Sequence, residues 1–221
     1  MRPIIIGITG GIASGKSTIS KALQQEGYSV ISTDKIGHEV LLYPEIKNKL
    51  TNEFGNEILE NNRVNRDLLR EIVFEDKNKV DKLNKIVHPE ILDTMDDIVK
   101  HSSSEYLFFE IPLLFEAHLE KCFDFIILVY TEKEFQIKRL QIRNNYTAEH
   151  ASSIIDSQMP LDKKVPKADL IIENNEDKNK LNSQAWTIIK HLRNIKKKNI
   201  ISFADSQTNK SIEINDKEMG E

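Results

Sequence analysis

Cysteine is almost missing from this sequence: Cys122 is the only one in 221 residues. No intrachain disulfide can form, so nothing calls for an oxidising compartment. A single thiol ahead of an apolar run reads as a small packed hydrophobe. Long hydrophobic runs are missing as well. Ile4-Ile5-Ile6 after Met1-Arg2-Pro3 is too short for a signal peptide. No stretch approaches the roughly 20 apolar residues that span a bilayer. The expectation is a soluble cytoplasmic protein with no membrane partner. There is no basic excess either. Lys and Arg number 31 against 35 Asp and Glu, for a net charge of −4, which argues against a general nucleic-acid binder. What remains, 39% hydrophobic residues in a chain of this length, suits one globular domain with insertions, or a core carrying a smaller lobe.

The order of apolar runs is informative. Ile4 to Ile8 is short, β-branched and ends in glycines, as a fully buried strand does. Ser17 to Glu26 carries Ile19, Ala22 and Leu23 at helical spacing and stops at Gly27. Tyr28 to Ser32 is a second strand, so the chain opens as a βαβ unit of a parallel sheet. From Ile36 to Lys100 the pattern turns charged and helical, with turns near Tyr43-Pro44, Asn61-Asn62 and His88-Pro89 and no buried strand. Strands resume at Tyr106–Ile111 and Phe125–Tyr130. Helices follow at Glu132–Asn144 and Ala148–Gln158, then a strand at Asp169–Ile172. A last amphipathic helix is read over Leu181–Lys198, with Trp186, Ile189 and Leu192 on its apolar face and Lys196 to Lys198 complementing its C-terminal dipole. The polar segment from Ile200 to Glu221 reads as loose, with a weak edge-strand alternation at Ile212 and Ile214.

The strongest local signal is Gly10-Gly11-Ile12-Ala13-Ser14-Gly15-Lys16-Ser17, which fits G-x-x-x-x-G-K-[ST] and stands between a strand and a helix. Glycines let successive backbone N–H groups approach an anion, and the helix start adds its positive dipole end. In such a loop Gly11, Ile12, Ala13, Ser14 and Gly15 wrap the phosphates, and Lys16 reaches the β- and γ-phosphates. Ser17 ligates Mg²⁺ and Thr18 meets the α-phosphate. An ordinary glycine-rich turn would not explain why Gly15, Lys16 and Ser17 fall together at a helix start.

Two strings typical of GTP-dependent switches also occur, Asp34-Lys35-Ile36-Gly37 and Asn78-Lys79-Val80-Asp81. The second lies in a charged helical stretch instead of at a strand end. The first follows the loop too closely to leave room for a switch segment. Both are read as coincidence. Asp34 instead stands just past the C-terminal end of the second strand, where open α/β sheets bind ligands. There a carboxylate orients an acceptor hydroxyl and takes its proton late. The bland alternative for Asp34 is a helix N-cap.

Several elements then stand in one order: Thr9-Gly10-Gly11-Ile12, Asp34 with Ile36 and His38, Val87-His88-Pro89, Pro112-Leu113-Leu114-Phe115-Glu116, Arg139 with Arg143, Gln158-Met159-Pro160, and Ala168-Asp169 leading to Ile172-Glu173-Asn174-Asn175. Together, from about Ile4 to Lys198, they resemble the dephospho-CoA kinase family. The resemblance implies an α/β, three-layer P-loop kinase core with a five-stranded parallel sheet (1–36, 101–131 and 164–198). It also implies a helical CoA-binding insertion over 37–100, a helical lid over 132–163 and a polar tail over 199–221. The implied partners are ATP, Mg²⁺ and dephospho-CoA, whose ribose 3′-hydroxyl is the acceptor; a monomer or weak homo-oligomer is expected. Lys16, Asp34 and Arg139 would be catalytic, with Asp34 as base. Arg143 and Asn175 would join the loop in holding the nucleotide. Thr9, Asp34, His88, Pro112, Leu113, Leu114 and Glu116 would line the acceptor side. His88-Pro89 reads alternatively as a helix-initiating turn. The sequence departs from the family in Ala13, where glycine is usual, in Ser32-Thr33 before Asp34, and in Glu176 after Asn175. The competing kinase reading is a nucleoside- or shikimate-type enzyme with a different insertion.

Overall fold

The structure, a computed structural model, describes residues 2–74, 76–175 and 178–207. In chain order it runs β1 (Ile4–Gly10), α1 (Lys16–Gln25), β2 (Ser29–Ser32), α2 (Thr33–Val40), α3 (Pro44–Phe54), β3 (Leu59–Glu60), β4 (Arg63–Val64) and α4 (Arg66–Phe74). It continues with α5 (Lys77–His101), β5 (Tyr106–Glu110), β6 (Phe125–Tyr130), α6 (Lys133–Asn144), α7 (Ala148–Asp156), α8 (Leu161–Lys164), β7 (Leu170–Glu173) and α9 (Lys178–Leu192). The chain divides into two compact units, one of Met1–Ser32 with His101–Ser202, the other of Thr33–Lys100 with Phe203–Glu221.

The first unit is built on a five-stranded sheet in the order β2-β5-β1-β6-β7, every pair parallel. β1 is buried along its whole length because it lies at the centre, with neighbours on both sides. Ile4, Ile6, Ile8, Phe108, Ile127 and Val129 form one core with Ile19 and Leu23 of α1 and Ala185, Ile188 and Leu192 of α9. Leu114 and Phe123, from the irregular segment after β5, pack over Gly7 on β1. Cys122 is buried with its Sγ 3.6 Å from the Ser202 carbonyl, a packed thiol as expected. Asn145 closes α6 in the left-handed conformation, and the Thr147 hydroxyl caps α7 by accepting from His150 N at 3.2 Å.

Three expectations for this unit are corrected. Of the face expected for α9, Leu192 is buried and Ile189 packs against the core, but Trp186 is 53% exposed and the buried positions beside Leu192 are Ala185 and Ile188. A small residue at 185 suits the face that shares a core with α1, where a bulky indole would hold the two helices apart. The helix also stops at Leu192, so Lys196 to Lys198 do not sit on its dipole. Lys197 and Lys198 tie this segment down instead: Lys198 N donates to Asp124 Oδ1 at 2.6 Å, Lys198 Nζ pairs with Asp169 at 3.2 Å, and Lys197 Nζ donates to the Arg2 carbonyl.

The second unit is helical, with Ile36, Val40, Ile46, Leu50, Phe54, Leu69, Leu92 and Met95 buried. Asn65 caps α4, accepting from Asp67 N and Leu68 N at 2.9 and 3.2 Å. The turn expected at Asn61-Asn62 is present, both residues at positive φ (49° and 60°), but it closes a two-stranded hairpin of β3 and β4. The turn read at His88-Pro89 is not there: α5 passes through Pro89. Val87, Leu92 and Met95 keep their helical spacing across it, and burying that face outweighs the one hydrogen bond proline cannot donate. The tail is not loose where it is described. Phe203 is buried, and the amides of Phe203 and Ala204 each donate to the Asp96 carboxylate at 2.9 Å. Ile212 and Ile214 lie outside the described residues.

Candidate active site

The glycine-rich loop leaves the C-terminal end of β1 and turns into α1. A Cβ placed on Gly10 would lie 2.5 Å from the Val129 carbonyl oxygen, and one on Gly11 would lie 2.6 Å from Gln136 Nε2. Gly10, at φ 155° and against backbone, therefore excludes any side chain, while a side chain at Gly11 would have to displace the Gln136 amide. Ala13 takes the left-handed conformation (φ 58°), and Gly15 caps α1 with φ 102°. Lys16 is buried, its ammonium donating to the carbonyls of Gly10 and Gly11 at 3.1 and 2.8 Å. This folds the lysine head back over the loop, poised over the space an anion would take. The Ser17 hydroxyl donates to Glu110 Oε1 at 2.8 Å.

Residues far away in sequence hold the outer limb of the loop. Asn174 Nδ2 donates to the Ser14 carbonyl at 2.6 Å, and the Thr131 hydroxyl donates to the carbonyls of Asn174 (2.6 Å) and Ser14 (3.3 Å). Arg139 donates to the Ala13 carbonyl, to Thr131 Oγ1 and to the Asn174 carbonyl at 3.2, 3.2 and 2.8 Å. Burial pushes the Arg139 pKa down from its ordinary value, yet a guanidinium stays charged at neutral pH. The predicted charge donor of the 132–163 segment is thus also a strut of the loop. Gln136, on α6, donates to the Ile12 carbonyl at 2.6 Å, and Gln158 Oε1 accepts from Ile12 N at 2.9 Å.

The other sequence-predicted residues fall in different settings. Thr9 is buried, its hydroxyl 3.4 Å from the Pro112 carbonyl, and Leu114 is core, whereas Leu113 is 46% exposed. Glu116 is engaged by Met159 N (3.1 Å) and Lys164 Nζ (2.7 Å). Asn175 exchanges two hydrogen bonds with Glu132, at the start of α6, each of 3.0 Å. Arg143 is exposed and donates through Nε to Asn144 at 2.8 Å. In the second unit, Asp34 is exposed within the first turn of α2, not ahead of it, so it is not an N-cap. His88 is exposed on α5. Asn78 to Asp81 lie in the first turns of α5, a position no base-reading loop occupies.

Sequence reasoning assigned no role to Glu110, Thr131, Gln136, Gln158 or Asn174. Glu110 left a signal, an acid ending a buried strand beside β1; Gln158 and Asn174 stood in the motifs that carry the family resemblance; Thr131 and Gln136 act on the loop across more than a hundred residues and leave none.

A phosphate loop joining the central strand of a five-stranded parallel sheet to a helix, with a buried lysine folded over it, defines a P-loop kinase fold. Residues 4–180 match the sequence model of the dephospho-CoA kinase family, and the chain belongs to that family. A dephospho-CoA kinase of Listeria monocytogenes is 43% identical over 190 residues, covering 84% of this chain and 95% of its own. Among solved structures, the dephospho-CoA kinase from Campylobacter jejuni superposes with a TM-score of 0.65 at 31% identity, covering 85% of this chain and 96% of its own. A Thermus thermophilus protein superposes with a TM-score of 0.76 at 29% identity, over 87% of this chain and 99% of its own. No helix among the described residues is long and apolar enough to cross a membrane.

Proposed function

We propose that this protein transfers the γ-phosphate of ATP to the ribose 3′-hydroxyl of dephospho-CoA, yielding coenzyme A. The observation that carries the reading is the family match together with a complete phosphate loop, glycines, lysine and serine in place. Such transfer has a loose transition state, so catalysis consists of positioning and charge stabilisation. Lys16 and the loop amides beyond Ile12 take the phosphates, with the Thr18 side chain beside them. The Ser17 hydroxyl, beside Glu110, suits Mg²⁺, which would offset the phosphate charge. Arg139 places a fixed positive charge against the loop, with Arg143 and Asn175 on the nucleotide's flank. Asp34 follows Ser32, the last residue of β2, by two residues. That position suits a carboxylate that orients the acceptor hydroxyl and receives its proton late. The helical stretch 37–100, with His88, and the exposed Leu113 are assigned to the acceptor, and 132–163 to a lid that excludes water.

The test is ATP consumption with Mg²⁺, with and without dephospho-CoA, with the product weighed by mass spectrometry. The expected result is ADP release that needs dephospho-CoA, one added phosphate, and a loss of at least about a hundredfold in Asp34→Ala, the scale of general acid–base contributions. A folded, ATP-binding protein that ignores dephospho-CoA would overturn the acceptor and point to another small hydroxyl compound.

A further inference from the structure

Glu116 ends the segment that the family resemblance places on the acceptor side, yet its carboxylate is turned elsewhere. Oε1 meets both Met159 N (3.1 Å) and Lys164 Nζ (2.7 Å). Lys164 is fully buried, and this ion pair is its only polar contact among the described residues. Glu116 Oε2 is buried and without a hydrogen-bond partner among the described residues. A buried ammonium is tolerated only when paired, and removing its partner is strongly destabilising. Glu116 therefore cannot swing toward a substrate without stranding Lys164.

The ion pair brackets a short turn between α7 and α8, and the residue next to Met159 in that turn is Gln158. Its Oε1 accepts from Ile12 N at 2.9 Å, while Gln136 Nε2 donates to the Ile12 carbonyl at 2.6 Å. Both backbone polar groups of Ile12 are thus held by glutamines of the 132–163 segment. The next residue, Ala13, is left-handed (φ 58°). A strained backbone of that kind persists only where its surroundings over-determine it. Gln136 and Gln158 hold it on one side and Arg139, at the Ala13 carbonyl, on the other.

We infer that Glu116 and Lys164 are positioning residues for the nucleotide: they fix the turn carrying Gln158, and Gln158 fixes the phosphate loop at Ile12. The inference rests on reading the loop as the ATP phosphate site. It removes Glu116 from the acceptor's contacts and makes a buried lysine, remote from the loop in sequence, a determinant of nucleotide affinity.

The experiment compares wild type with Glu116→Gln, Lys164→Met, Gln158→Leu and the Glu116→Gln/Gln158→Leu double variant. ADP affinity is measured by titration calorimetry, the KM values for ATP and dephospho-CoA by steady-state kinetics, and folding by melting temperature. Each single variant is expected to weaken ADP binding and raise the ATP KM about tenfold, the scale of one lost hydrogen bond, with the dephospho-CoA KM unchanged. The double variant should be no worse than the worse single, because the two residues act in one chain of contacts. A rise in the dephospho-CoA KM alone in Glu116→Gln would make it an acceptor contact and overturn the inference, as would additive losses. Should the variants at the buried ion pair fail to fold, Gln158→Leu decides: full ADP affinity in that folded variant overturns the inference. Wild type that binds ADP but does not phosphorylate dephospho-CoA would sink the proposed acceptor and leave this test intact, since ADP binding needs no acceptor. Wild type that fails to bind ADP overturns both.

Discussion

Glu110 Oε1 accepts a hydrogen bond from Ser17 Oγ over 2.8 Å, joining the last residue of β5 to the first turn of α1. Glu110 lies opposite Ile8 of β1 and Ser32 of β2 in the sheet register, so its carboxylate stands at the strand ends beside the loop. A carboxylate next to a cation-ligating hydroxyl orients that ligand and the water around the metal. Glu110→Gln is expected to raise the Mg²⁺ concentration needed for half-maximal activity and to lower kcat, by about 10- to 100-fold in either. A Mg²⁺ titration of the two proteins checks this. An unchanged half-saturation point would confine Glu110 to holding α1 against the sheet.

Ala13 carries a Cβ in a conformation that disfavours it (φ 58°). Left-handed geometry costs about 1–2 kcal/mol for an alanine, while glycine would add about 0.4–1 kcal/mol of unfolded-state entropy. Ala13→Gly is therefore expected to stabilise the protein by up to about 1 kcal/mol, or roughly 2–4 °C in melting temperature. A lower melting temperature would mean that the loop relaxes around Ala13 at no cost.

Asp124 has a fully buried side chain. Burial pushes its pKa up, but hydrogen bonds from Arg2, Ile5 N and Lys198 N, with the Arg2 charge, outweigh that and hold it below its ordinary value. A depressed folded pKa gives stability that is complete above the unfolded value near 4 and is lost as pH falls through the folded one. Urea unfolding is thus expected to show constant stability from this group at neutral pH and a decline below about pH 4. Asp124→Ala should remove that acid decline and cost about 1–3 kcal/mol at pH 7, since two amides lose their acceptor. An unaltered acid limb in the variant would assign the decline to other carboxylates.

The sheet was legible because its signal is local: Ile4–Ile8, Tyr106–Ile111 and Phe125–Tyr130 are apolar on both faces, and a glycine-rich turn follows the first. The site was legible where function demands residue types at fixed spacing, as from Gly10 to Thr18. Other features depend on what a segment packs against. Pro89 reads as a break until Val87, Leu92 and Met95 are seen buried on one face. Trp186 reads as core until Ala185, its neighbour, is found to be the buried one. Each strand of the β3–β4 hairpin has two residues, too few for any alternation to register. Thr131, Asn174 and Gln136 support the loop through side-chain contacts to its backbone carbonyls, and a carbonyl leaves no mark in the sequence.

The seating of Phe203 has a consequence for where this chain can be cut or joined. The span shared with the family model ends at residue 180, yet the helical unit takes a buried aromatic ring and two amide donors from residues 203 and 204. A polypeptide ended after Leu192, the last residue of α9, would keep the sheet's core but leave the Asp96 carboxylate without those two donors. It would also lose the ring, a defect of about 3–5 kcal/mol on the scale of a buried Phe→Ala change. A fusion partner belongs after Gln207: the helical unit, whose first segment ends at Lys100, is closed by residues contributed a hundred positions later.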